Sequence, residues 1–354
     1  MIINGLKAAT AAFALLAATP ALAQMTLSYT DQSPPRGVRA EATIWLFDEI
    51  EKRTDGALKV EPHWGGALMK AKDTIKGVGD GAADMGVVIG IYNPSLSPAL
   101  VVGDLPTEYS EPWVGSRAMY DLAVNDPQMK AEFDKLNVHF ITHVTTGPIQ
   151  LVCRERVVQS LDEIDGMKFR GISVYGKIFE GLGAQSVTMP VYEVYQALDN
   201  GLIDCTHDYG YAIRAMKHDE VADVAIRLDW GALMGVAIFM NKDVYESLPP
   251  EQQTVIDEIG SDFVDHYTAQ LSDYEDNVFK EIAEGAGGND MKVHEFPAAE
   301  KAKLLEAGLA YVDEWKTRVA DLGVDGDALY DAYMAALKKY DAEFKINGYP
   351  AVTR

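Results

Sequence analysis

The chain has 354 residues, of which 48% are hydrophobic and 24% are charged, a globular composition with enough apolar residues for a sizeable core and two domains. Disordered chains and fibrous repeats are excluded by this composition. With 31 Lys and Arg against 54 Asp and Glu, the formal net charge is -23, so the surface would repel a phosphate backbone almost everywhere. We therefore expect no nucleic acid partner.

The first residues have the pattern of an export signal. Lys7 precedes an apolar run over residues 8–18, and the small residues at 21–23 offer a cleavage point before Gln24. The run is too short to cross a bilayer, and the alternative is a buried N-terminal helix. We expect a signal peptide over residues 1–23 and a periplasmic mature protein.

Two cysteines, Cys153 and Cys205, lie in the middle of the chain. Two thiols cannot form a disulfide framework, but one bridge would be possible in an oxidising compartment. It requires Cα atoms within about 7 Å of each other. Two buried free thiols are equally compatible with the sequence.

Short β patterns alternate with helical patterns after Gln24, which is typical of an α/β protein. Residues 42–50 carry apolar side chains at helical spacing, and a second helix is predicted around 72–78. The predicted strands cover residues 27–30, 58–62, 84–89, 138–144, 149–153, 168–170, 187–189, 203–207 and 236–241.

The segment 249–284 has apolar residues every three or four positions and no proline after its first turn. A single helix of that length would extend roughly 54 Å at 1.5 Å per residue, beyond the ~30 Å diameter of a small domain. It would have to lie across two domains. The alternative is two helices broken near Gly260 or Ser272. Further amphipathic helix is predicted over 298–342, with an interruption at 322–327.

The chain lacks the motifs on which an enzyme would depend. We find no Gly-x-Ser-x-Gly elbow, no P-loop and no dinucleotide fingerprint. The pair His139 and His143 has the spacing of a helical zinc motif but lies in a predicted strand, where such residues stand about 13 Å apart. The sequence therefore predicts no enzyme, with no catalytic residues, no metal and no cofactor.

An ordered series of short motifs occupies the middle of the chain. The motifs are Gly166-Met167-Lys168-Phe169-Arg170, Leu182-Gly183-Ala184, Met189-Pro190, Glu193-Val194-Tyr195-Gln196-Ala197-Leu198 and Gly201-Leu202-Ile203-Asp204. In this order they closely resemble the solute-binding proteins of tripartite ATP-independent periplasmic (TRAP) transporters, the family first associated with C4-dicarboxylate uptake. The resemblance extends over nearly the whole mature chain, from Gly65-Gly66-Ala67-Leu68 to Leu248-Pro249-Pro250.

The resemblance implies a two-lobed periplasmic-binding-protein fold, with a central cleft, crossing hinge strands and one long helix spanning both lobes. On this basis we expect lobe I at 24–147 plus about 234–275, and lobe II at 148–233 plus about 276–354 with the C-terminal helices. Proteins of this family catalyse nothing. They capture a solute, usually an organic acid, by closing the cleft, and deliver it to a small and a large membrane subunit. We expect a monomer.

Arg170 matches the family's principal carboxylate-binding arginine, at the end of a strand in the second domain. Its planar guanidinium meets a carboxylate with two parallel hydrogen bonds, which lysine cannot reproduce. The alternative is a solvent-facing arginine paired with a neighbour such as Asp204.

Two positions depart from the common pattern of the family. Gln150 stands where sialic-acid-binding relatives carry a second arginine, and Asp208 stands where many relatives have asparagine. The loss of a positive charge and the gain of a negative one favour a monocarboxylate over a dicarboxylate, with a hydroxyl or amino group facing Asp208. An alternative role for Asp208 is the N-cap of a helix beginning at Tyr209.

Apolar and aromatic residues are predicted around the cleft. The first domain contributes Ile89 and Tyr92, and the second contributes Tyr209, Tyr211 and Trp230. They suggest a partly hydrophobic or aromatic solute, although such residues are also common in an ordinary core.

Three other readings of the chain stay open. An ABC-type receptor shares the two-lobed closure but lacks this series of motifs, and a sensor-linked ectodomain would bind the same solutes. A secreted enzyme would use Asp208 and His207 as acid and base, but adjacent residues on a strand point to opposite faces.

Overall fold

A computed structural model describes residues 24–286 and 290–350 of the chain. The expected signal peptide at 1–23 lies outside the described residues. Within those two ranges, no helix is long and apolar enough to cross a membrane.

The first sheet consists of β1 (Met25–Thr30), β2 (Leu58–His63), β3 (Met85–Ile89), β4 (Val138–Val144) and β10 (Val236–Asn241). Their order in the sheet is β2-β1-β3-β10-β4. The strands β1, β2 and β3 are parallel, and β10 runs antiparallel to both β3 and β4.

The second sheet consists of β5 (Pro148–Cys153), β6 (Lys168–Arg170), β7 (Gln185–Val187), β8 (Cys205–Tyr209), β9 (Val224–Ala232) and β11 (Lys292–Glu295). Their order in the sheet is β11-β9-β5-β8-β6-β7. The strand β5 is antiparallel to its neighbours β8 and β9, whereas β6 is parallel to β7 and β8.

A disulfide joins Cys153 on β5 to Cys205 on β8. The two residues face each other in the antiparallel register, with Cα atoms 4.1 Å apart. Of the two possibilities left open by the sequence, the structure has the bridge. It closes a loop of 52 residues, for which the chain-entropy model gives a stabilisation of about 4 kcal/mol.

Two short crossings connect the sheets, and a third connection, from β10 to β11, runs through the long helix described below. Residues 145–147 lead from β4 in the first sheet to β5 in the second, and Leu233, Met234 and Gly235 lead back from β9 to β10. These neighbouring crossings form the hinge. The hydroxyl of Thr146 accepts a hydrogen bond from the amide of Leu233, so the two crossings are tied together. The expected two-lobed fold with crossing hinge strands is confirmed.

Helices cover both sheets, and the apolar core lies between the helices and the sheets. The longest helix is α9 (Pro250–Ala283). The other α-helices of the described residues are α1 (Val38–Arg53), α2 (Thr74–Gly79), α3 (Pro112–Asn125), α4 (Pro127–Lys135), α5 (Ser173–Gly181), α6 (Val194–Asp199), α7 (Gly210–Ala215), α8 (Lys242–Ser247), α10 (Ala298–Ala320) and α11 (Gly326–Asn347).

Helix α9 (Pro250–Ala283) is continuous over 34 residues, about 51 Å. The predicted single helix is confirmed, and the alternative of two helices broken near Gly260 or Ser272 is wrong. Gly260 instead packs on β4, where an added Cβ would lie 2.0 Å from the carbonyl oxygen of Ile141. Farther along, the carboxylate of Asp265 accepts hydrogen bonds from Trp113 Nε1 at 2.7 Å and from Arg117 Nε at 2.9 Å. The first half of α9 is thereby fixed to the first lobe.

The second half of α9 contacts the second lobe through Glu275. Its Oε1 accepts a hydrogen bond from the backbone amide of Tyr211 at 3.1 Å, and the amide of Gly210 lies beside the carboxyl group. Burial raises the pKa of Glu275 to about 8, against the lowering effect of these two amides. The long helix therefore holds the start of α7, where β8 ends.

The two C-terminal helices pack on different lobes. Helix α10 contacts α5 and β9 in the second lobe, whereas α11 packs on α3 and on the 3₁₀ turn Leu100–Asp104 of the first. The expected grouping of 276–354 with lobe II does not match the packing of α11. The aromatic residues explain the difference, because Phe344 and Tyr340 lie against Trp113 on α3.

Candidate functional site

A cavity of about 620 Å³ opens between the two lobes. This size is within the range of small-molecule pockets. The first lobe lines it with Gln32, the Gly65-Gly66 turn, Lys70 to Lys72, Ile91 and Tyr92, and the second with Ile172, Ser173, Thr188, Met189, Pro190, Tyr192 and Glu193. We call it the outer cavity.

A smaller inner cavity of about 20 Å³ lies deeper in the cleft and shares Tyr92 and Tyr192 with the outer one. It has room for about one water-sized group. Four tyrosines contribute to its walls, and the rings of Tyr209 and Tyr211 stack with centroids 5.6 Å apart. The lining residues are Arg39, Ile89, Tyr92, Val144, Thr145, Thr146, Val191, Tyr192, Tyr209, Tyr211, Leu233 and Val236.

Arg170 is fully buried at the end of β6. It is in the lining of neither cavity, but it contacts Met189 of the outer cavity and acts on Tyr92, which lines both. Its Nε donates to the carbonyl of Met189 at 3.0 Å, and its Nη1 donates to the carbonyl of His207 at 3.2 Å. The third nitrogen, Nη2, is buried without a hydrogen-bond partner. Among the described residues, no carboxylate lies within 4 Å of this guanidinium. The protein therefore buries a positive charge that it does not itself neutralise.

The alternative role for Arg170, a solvent-facing arginine paired with Asp204, is wrong. The side chain of Arg170 has 0% exposure. Asp204 instead accepts a hydrogen bond from the backbone amide of Lys168 at 2.9 Å.

The charge of Arg170 acts on the aromatic groups around it. Burial raises the pKa of Tyr92 and, more strongly, that of Tyr209, and in both cases the nearby guanidinium opposes the rise. Burial and then the charge of Arg170 hold the pKa of His207 well below 6.5, so its imidazole is neutral. Tyr92, Tyr209 and His207 are therefore uncharged near neutral pH, and none of them adds a charge to the surroundings of Arg170.

A second buried arginine, Arg39 on α1, lines the inner cavity from the first lobe. Its Nη1 and Nη2 donate to the two oxygens of Asp31 at 3.0 and 2.8 Å, a bidentate pair. Asp31 also accepts from Tyr29 Oη at 3.0 Å and from the amide of Ser33 at 2.7 Å. The charge of Arg39 is therefore balanced within the protein.

The lobes contact each other beside the cavities. The amide of Val191 donates to the hydroxyl of Tyr92 at 3.1 Å, and Arg36 Nε donates to the carbonyl of Ala215 at 2.5 Å. Both bonds join a first-lobe side chain to second-lobe backbone. The hydroxyl of Tyr92, which lies near Arg170, is therefore held by the backbone of the second lobe.

Gln150 does not line either cavity. Its Oε1 accepts from the amides of Leu228 and Asp229 at 2.8 and 3.1 Å, and its Nε2 donates to the carboxylate of Asp229 at 2.8 Å. The side chain supports β9 where its pairing with β5 is irregular and Asp229 has a φ of 45°. All its polar atoms are engaged by the protein.

Asp208 also points away from the cavities. Its Oδ2 lies 2.5 Å from Nδ1 of His218, and both side chains are fully buried. Its Oδ1 accepts from the amide of Tyr209 at 2.9 Å. The predicted N-cap is absent too, because α7 begins at Gly210 and receives no side-chain cap. The residue holds β8 to the turn around His218.

Trp230 is buried in the second lobe, outside the lining of both cavities. Its ring contacts Tyr175 edge-on, with centroids 5.0 Å apart, and Phe179 at 6.4 Å. The structure thus brings together four of the predicted residues, Ile89, Tyr92, Tyr209 and Tyr211, beside Arg170. It places Gln150, Asp208 and Trp230 elsewhere.

Sequence reasoning missed Arg39 and Tyr192. Tyr192 directly follows the motif Met189-Pro190 and Val191, so its position along the chain was a usable signal. Arg39 had no comparable signal, since its partner Asp31 comes from the loop before the helix. Within the described ranges, no group of three or more His, Cys, Asp and Glu is arranged to hold a metal ion.

Comparisons with known proteins agree with this geometry. A family model described as "Bacterial extracellular solute-binding protein, family 7" matches residues 32–318. The C4-dicarboxylate-binding periplasmic protein DctP of Rhodobacter capsulatus is 25% identical over 331 residues, which cover 90% of this chain and 94% of that protein.

Two crystal structures of TRAP solute-binding proteins are similar over most of the chain. One, from Desulfovibrio salexigens, is 25% identical with a TM-score of 0.75, and the match covers 91% of this chain and 98% of that one. The other, from a marine metagenome and specific for aromatic acid ligands, was solved with 3-hydroxybenzoate. It is 25% identical with a TM-score of 0.79, covering 90% and 99%. The chain belongs to family 7 of the bacterial extracellular solute-binding proteins, the non-enzymatic solute receptors of TRAP transporters.

Proposed function

We propose that this protein is a periplasmic receptor that closes over a small organic monocarboxylate and holds the carboxylate on Arg170. The observation that carries the proposal is the buried guanidinium with a free Nη2 and no acidic partner in the described part of the chain. An unpaired buried charge is costly. A ligand carboxylate would remove that cost on binding, and each charge-assisted hydrogen bond contributes roughly 1.5 to 3 kcal/mol.

The charge balance of the cleft supports a single carboxylate. Arg39 is neutralised by Asp31, which leaves Arg170 as the buried cation that a ligand would neutralise. Lys70 and Lys72 line the outer cavity, but both are exposed to solvent, as is Glu193 on the opposite wall. Exposed charges of this kind contribute little binding energy.

The tyrosine walls support a partly hydrophobic or aromatic solute. Tyr209 and Tyr211 present a stacked pair to the inner cavity, and Ile89 adds an aliphatic wall. Aromatic rings pair favourably in offset or edge-on arrangements. The similarity to a receptor solved with 3-hydroxybenzoate points in the same direction. The similarity to a C4-dicarboxylate-binding protein makes dicarboxylates the comparison to test.

The remaining parts of the proposal follow from family membership and from the sequence. The mature chain would begin after residue 23, remain a monomer and deliver its solute to a small and a large membrane subunit. We propose Arg170, Ile89, Tyr92, Tyr209 and Tyr211 as ligand-contacting residues. Gln150 and Asp208 are not included, because hydrogen bonds within the protein account for their side chains. Trp230 is not included, because it lines neither cavity.

A thermal-shift screen of the mature protein tests this function. The probes are benzoate, 3-hydroxybenzoate, propionate, lactate, succinate and galactose, with Arg170→Lys as the test variant and the surface substitution Arg53→Lys as its control. A ligand at 100 times its Kd stabilises by about 2.7 kcal/mol, which a melting curve resolves. We expect stabilisation by a monocarboxylate in the wild type and in Arg53→Lys, but not in Arg170→Lys. Stabilisation by succinate or galactose alone, or by no probe, would contradict the proposal.

A further inference from the structure

Among the described residues that line the outer cavity, Gln32 is the polar one that is more than nine-tenths buried. It lies in the loop between β1 and α1 and is 7% exposed. Its Oε1 is buried without a hydrogen-bond partner in the described part of the chain. Native proteins pair the great majority of such atoms, and an unpaired one requires an explanation. Because Gln32 belongs to a cavity wall, a solute can supply the missing partner.

The orientation of the Gln32 amide is set by Thr74 at the start of α2. Nε2 of Gln32 donates to Oγ1 of Thr74 at 2.5 Å, and that hydroxyl donates in turn to the carbonyl of Lys70 at 3.4 Å. Because a hydroxyl has a single proton, it accepts from Gln32 while it donates to Lys70. The amide nitrogen is thereby held by α2, and the oxygen is the acceptor left for another donor.

Most of the solute must lie in the outer cavity. The inner cavity of about 20 Å³ has room for about one water-sized group, whereas the outer cavity of about 620 Å³ can hold a whole small acid. Lys70, Lys72, Thr188 and Glu193 on the walls of the outer cavity are exposed. Water competes for the hydrogen bonds of exposed groups, so these four side chains discriminate less between solutes than a buried acceptor does.

Gln32 and Arg170 approach the junction of the two cavities from opposite lobes. Arg170 lies near the hydroxyl of Tyr92, and Tyr92 and Tyr192 are the two residues that line both cavities. Next to Gln32 in the chain, the hydroxyl of Ser33 lies 3.5 Å from that of Tyr192. A solute that extends from Arg170 into the outer cavity passes this pair of tyrosines, and Gln32 lines the first-lobe wall beside them.

We infer that Oε1 of Gln32 is a specificity-determining acceptor, which binds a hydroxyl or N–H group on the body of the solute. This inference rests on the proposed function and deepens it, because the solute becomes a monocarboxylate that also carries a hydrogen-bond donor. Gln32 is neutral, so it requires no second charge on the solute. A site built to hydrogen-bond such a donor discriminates strongly against the analogue that lacks it, since its buried acceptor is then left unpaired.

The test compares acids that differ in one hydrogen-bond donor. The probes are benzoate and its 2-, 3- and 4-hydroxy derivatives, with propionate and lactate as a smaller pair. The methoxy counterpart of the tightest-binding hydroxybenzoate keeps the oxygen atom but loses the donor. Calorimetry on the mature protein gives each Kd.

Three variants are compared with the wild type. Gln32→Met has a similar length but no acceptor oxygen, and Gln32→Glu keeps an acceptor oxygen. The matched control is Gln253→Met, because Gln253 is another first-lobe glutamine that lines neither cavity. Its amide donates to the carbonyls of Tyr245 and Leu248.

We expect the wild type to prefer at least one hydroxy acid over its parent acid, and a hydroxybenzoate over its methoxy counterpart, by about tenfold or more. Gln32→Met should reduce that preference about tenfold by weakening the binding of the hydroxy acid alone. Gln32→Glu should keep the preference, although its charge weakens the binding of every carboxylate. Gln253→Met should leave each Kd within about twofold of the wild type. If Gln32→Met does not fold, Gln32→Leu replaces it in the same comparison.

Two results would overturn the inference, and they are distinguishable. Equal affinity for the acids with and without the donor, or a preference that survives Gln32→Met, would refute the role of Gln32 and leave the receptor proposal standing. A wild type that binds none of the acids would refute the receptor proposal and the inference with it.

Discussion

The protein buries two arginines near its cleft and treats them differently. Arg39 in the first lobe forms a bidentate pair with Asp31, which is itself held by Tyr29 and by a backbone amide. Arg170 in the second lobe donates to two backbone carbonyls and lies near the Tyr92 hydroxyl, and its Nη2 has no hydrogen-bond partner among the described residues. The first is a completed structural ion pair, and the second has the incomplete coordination expected of an anion-binding group.

The difference shows that two equally buried arginines can have different roles in a binding protein. A buried ion pair with all partners in place fixes the local structure, and breaking it from one side leaves an uncompensated charge. A buried cation without an acid lowers the stability of the empty protein and provides binding energy for a ligand. Burial alone therefore does not identify a ligand contact. The useful criterion is whether the protein itself provides the hydrogen-bond partners and the opposite charge that a buried side chain needs.

Asp31→Ala should give the largest loss of stability. It leaves the Arg39 guanidinium buried and unpaired, which typically costs about 3 to 5 kcal/mol. Denaturant unfolding of the ligand-free protein measures the loss. The control is Asp262→Ala, which breaks the surface pair with Arg53 and should cost about 1 kcal/mol or less. Equal losses in the two variants would show that the buried pair is not a structural anchor.

Arg170→Lys should reverse this pattern, with a large loss of affinity and a smaller loss of stability. The positive charge remains, but the planar fork is lost. Removing one charge-assisted hydrogen bond at about 1.5 to 3 kcal/mol predicts a roughly 10- to 150-fold weaker Kd for the acid found in the screen. Calorimetry gives the Kd and a melting curve gives the stability. An affinity within twofold of the wild type would mean that Arg170 is not the anchor.

Asp208→Asn tests a buried carboxylate that the sequence assigned to the ligand. Because Asp208 pairs with His218 in the fully buried interior, the substitution should lower the free energy of unfolding by roughly 1 to 3 kcal/mol. The order of preference among ligands should stay the same. A changed order with unchanged stability would restore the original hypothesis that Asp208 faces the solute.

Glu275→Gln should change the dependence of stability on pH. Burial raises the pKa of Glu275 from 4.5 to about 8, so the folded protein keeps a proton that the unfolded chain loses above pH 4.5. Stability therefore falls as the pH rises from about 5 to 8, by up to about 1.4 kcal/mol per unit from this group. Asp104 and Glu132, whose pKa values burial raises to about 7, add to the same slope.

The glutamine variant cannot ionise but keeps an acceptor for the amides of Gly210 and Tyr211. Its unfolding free energy, measured at pH 5.5, 6.5 and 7.5, should decline less steeply than that of the wild type. Parallel profiles for the two proteins would mean that Glu275 does not hold a proton in the folded state.

Much of the fold could be predicted from the sequence because its patterns are local. The strand over 138–144 and the long helical period after residue 249 have regular apolar spacing, and both elements appear as predicted. The strands β9 and β11 were not predicted. β9 carries Arg227 and Asp229 in its middle and is irregularly paired, and β11 is a four-residue edge strand with three polar residues.

The position of Arg170 was predictable, because a motif fixes it at the end of a strand, whereas its role as a ligand contact stays a proposal. It was not predictable where the partner of a side chain comes from a distant element. The side-chain amide of Gln150 donates a hydrogen bond to Asp229 on β9. The carboxylate of Asp208 pairs with His218, which lies ten residues further along the chain, after α7. Counting along the chain places such residues on their strands, but it does not show which neighbours form hydrogen bonds with their polar atoms.

The attachment of α9 to both lobes has a mechanical consequence. Gly260 and Asp265 tie the helix to the first lobe, and Glu275 ties it to the backbone that follows β8. Ten residues, about 15 Å of helix, separate Asp265 from Glu275. Any rotation of one lobe against the other must be absorbed as bending or twisting of that short stretch. The helix therefore resists rotation of the lobes together with the hinge, and its stiffness contributes to the angle between the two lobes in the ligand-free protein.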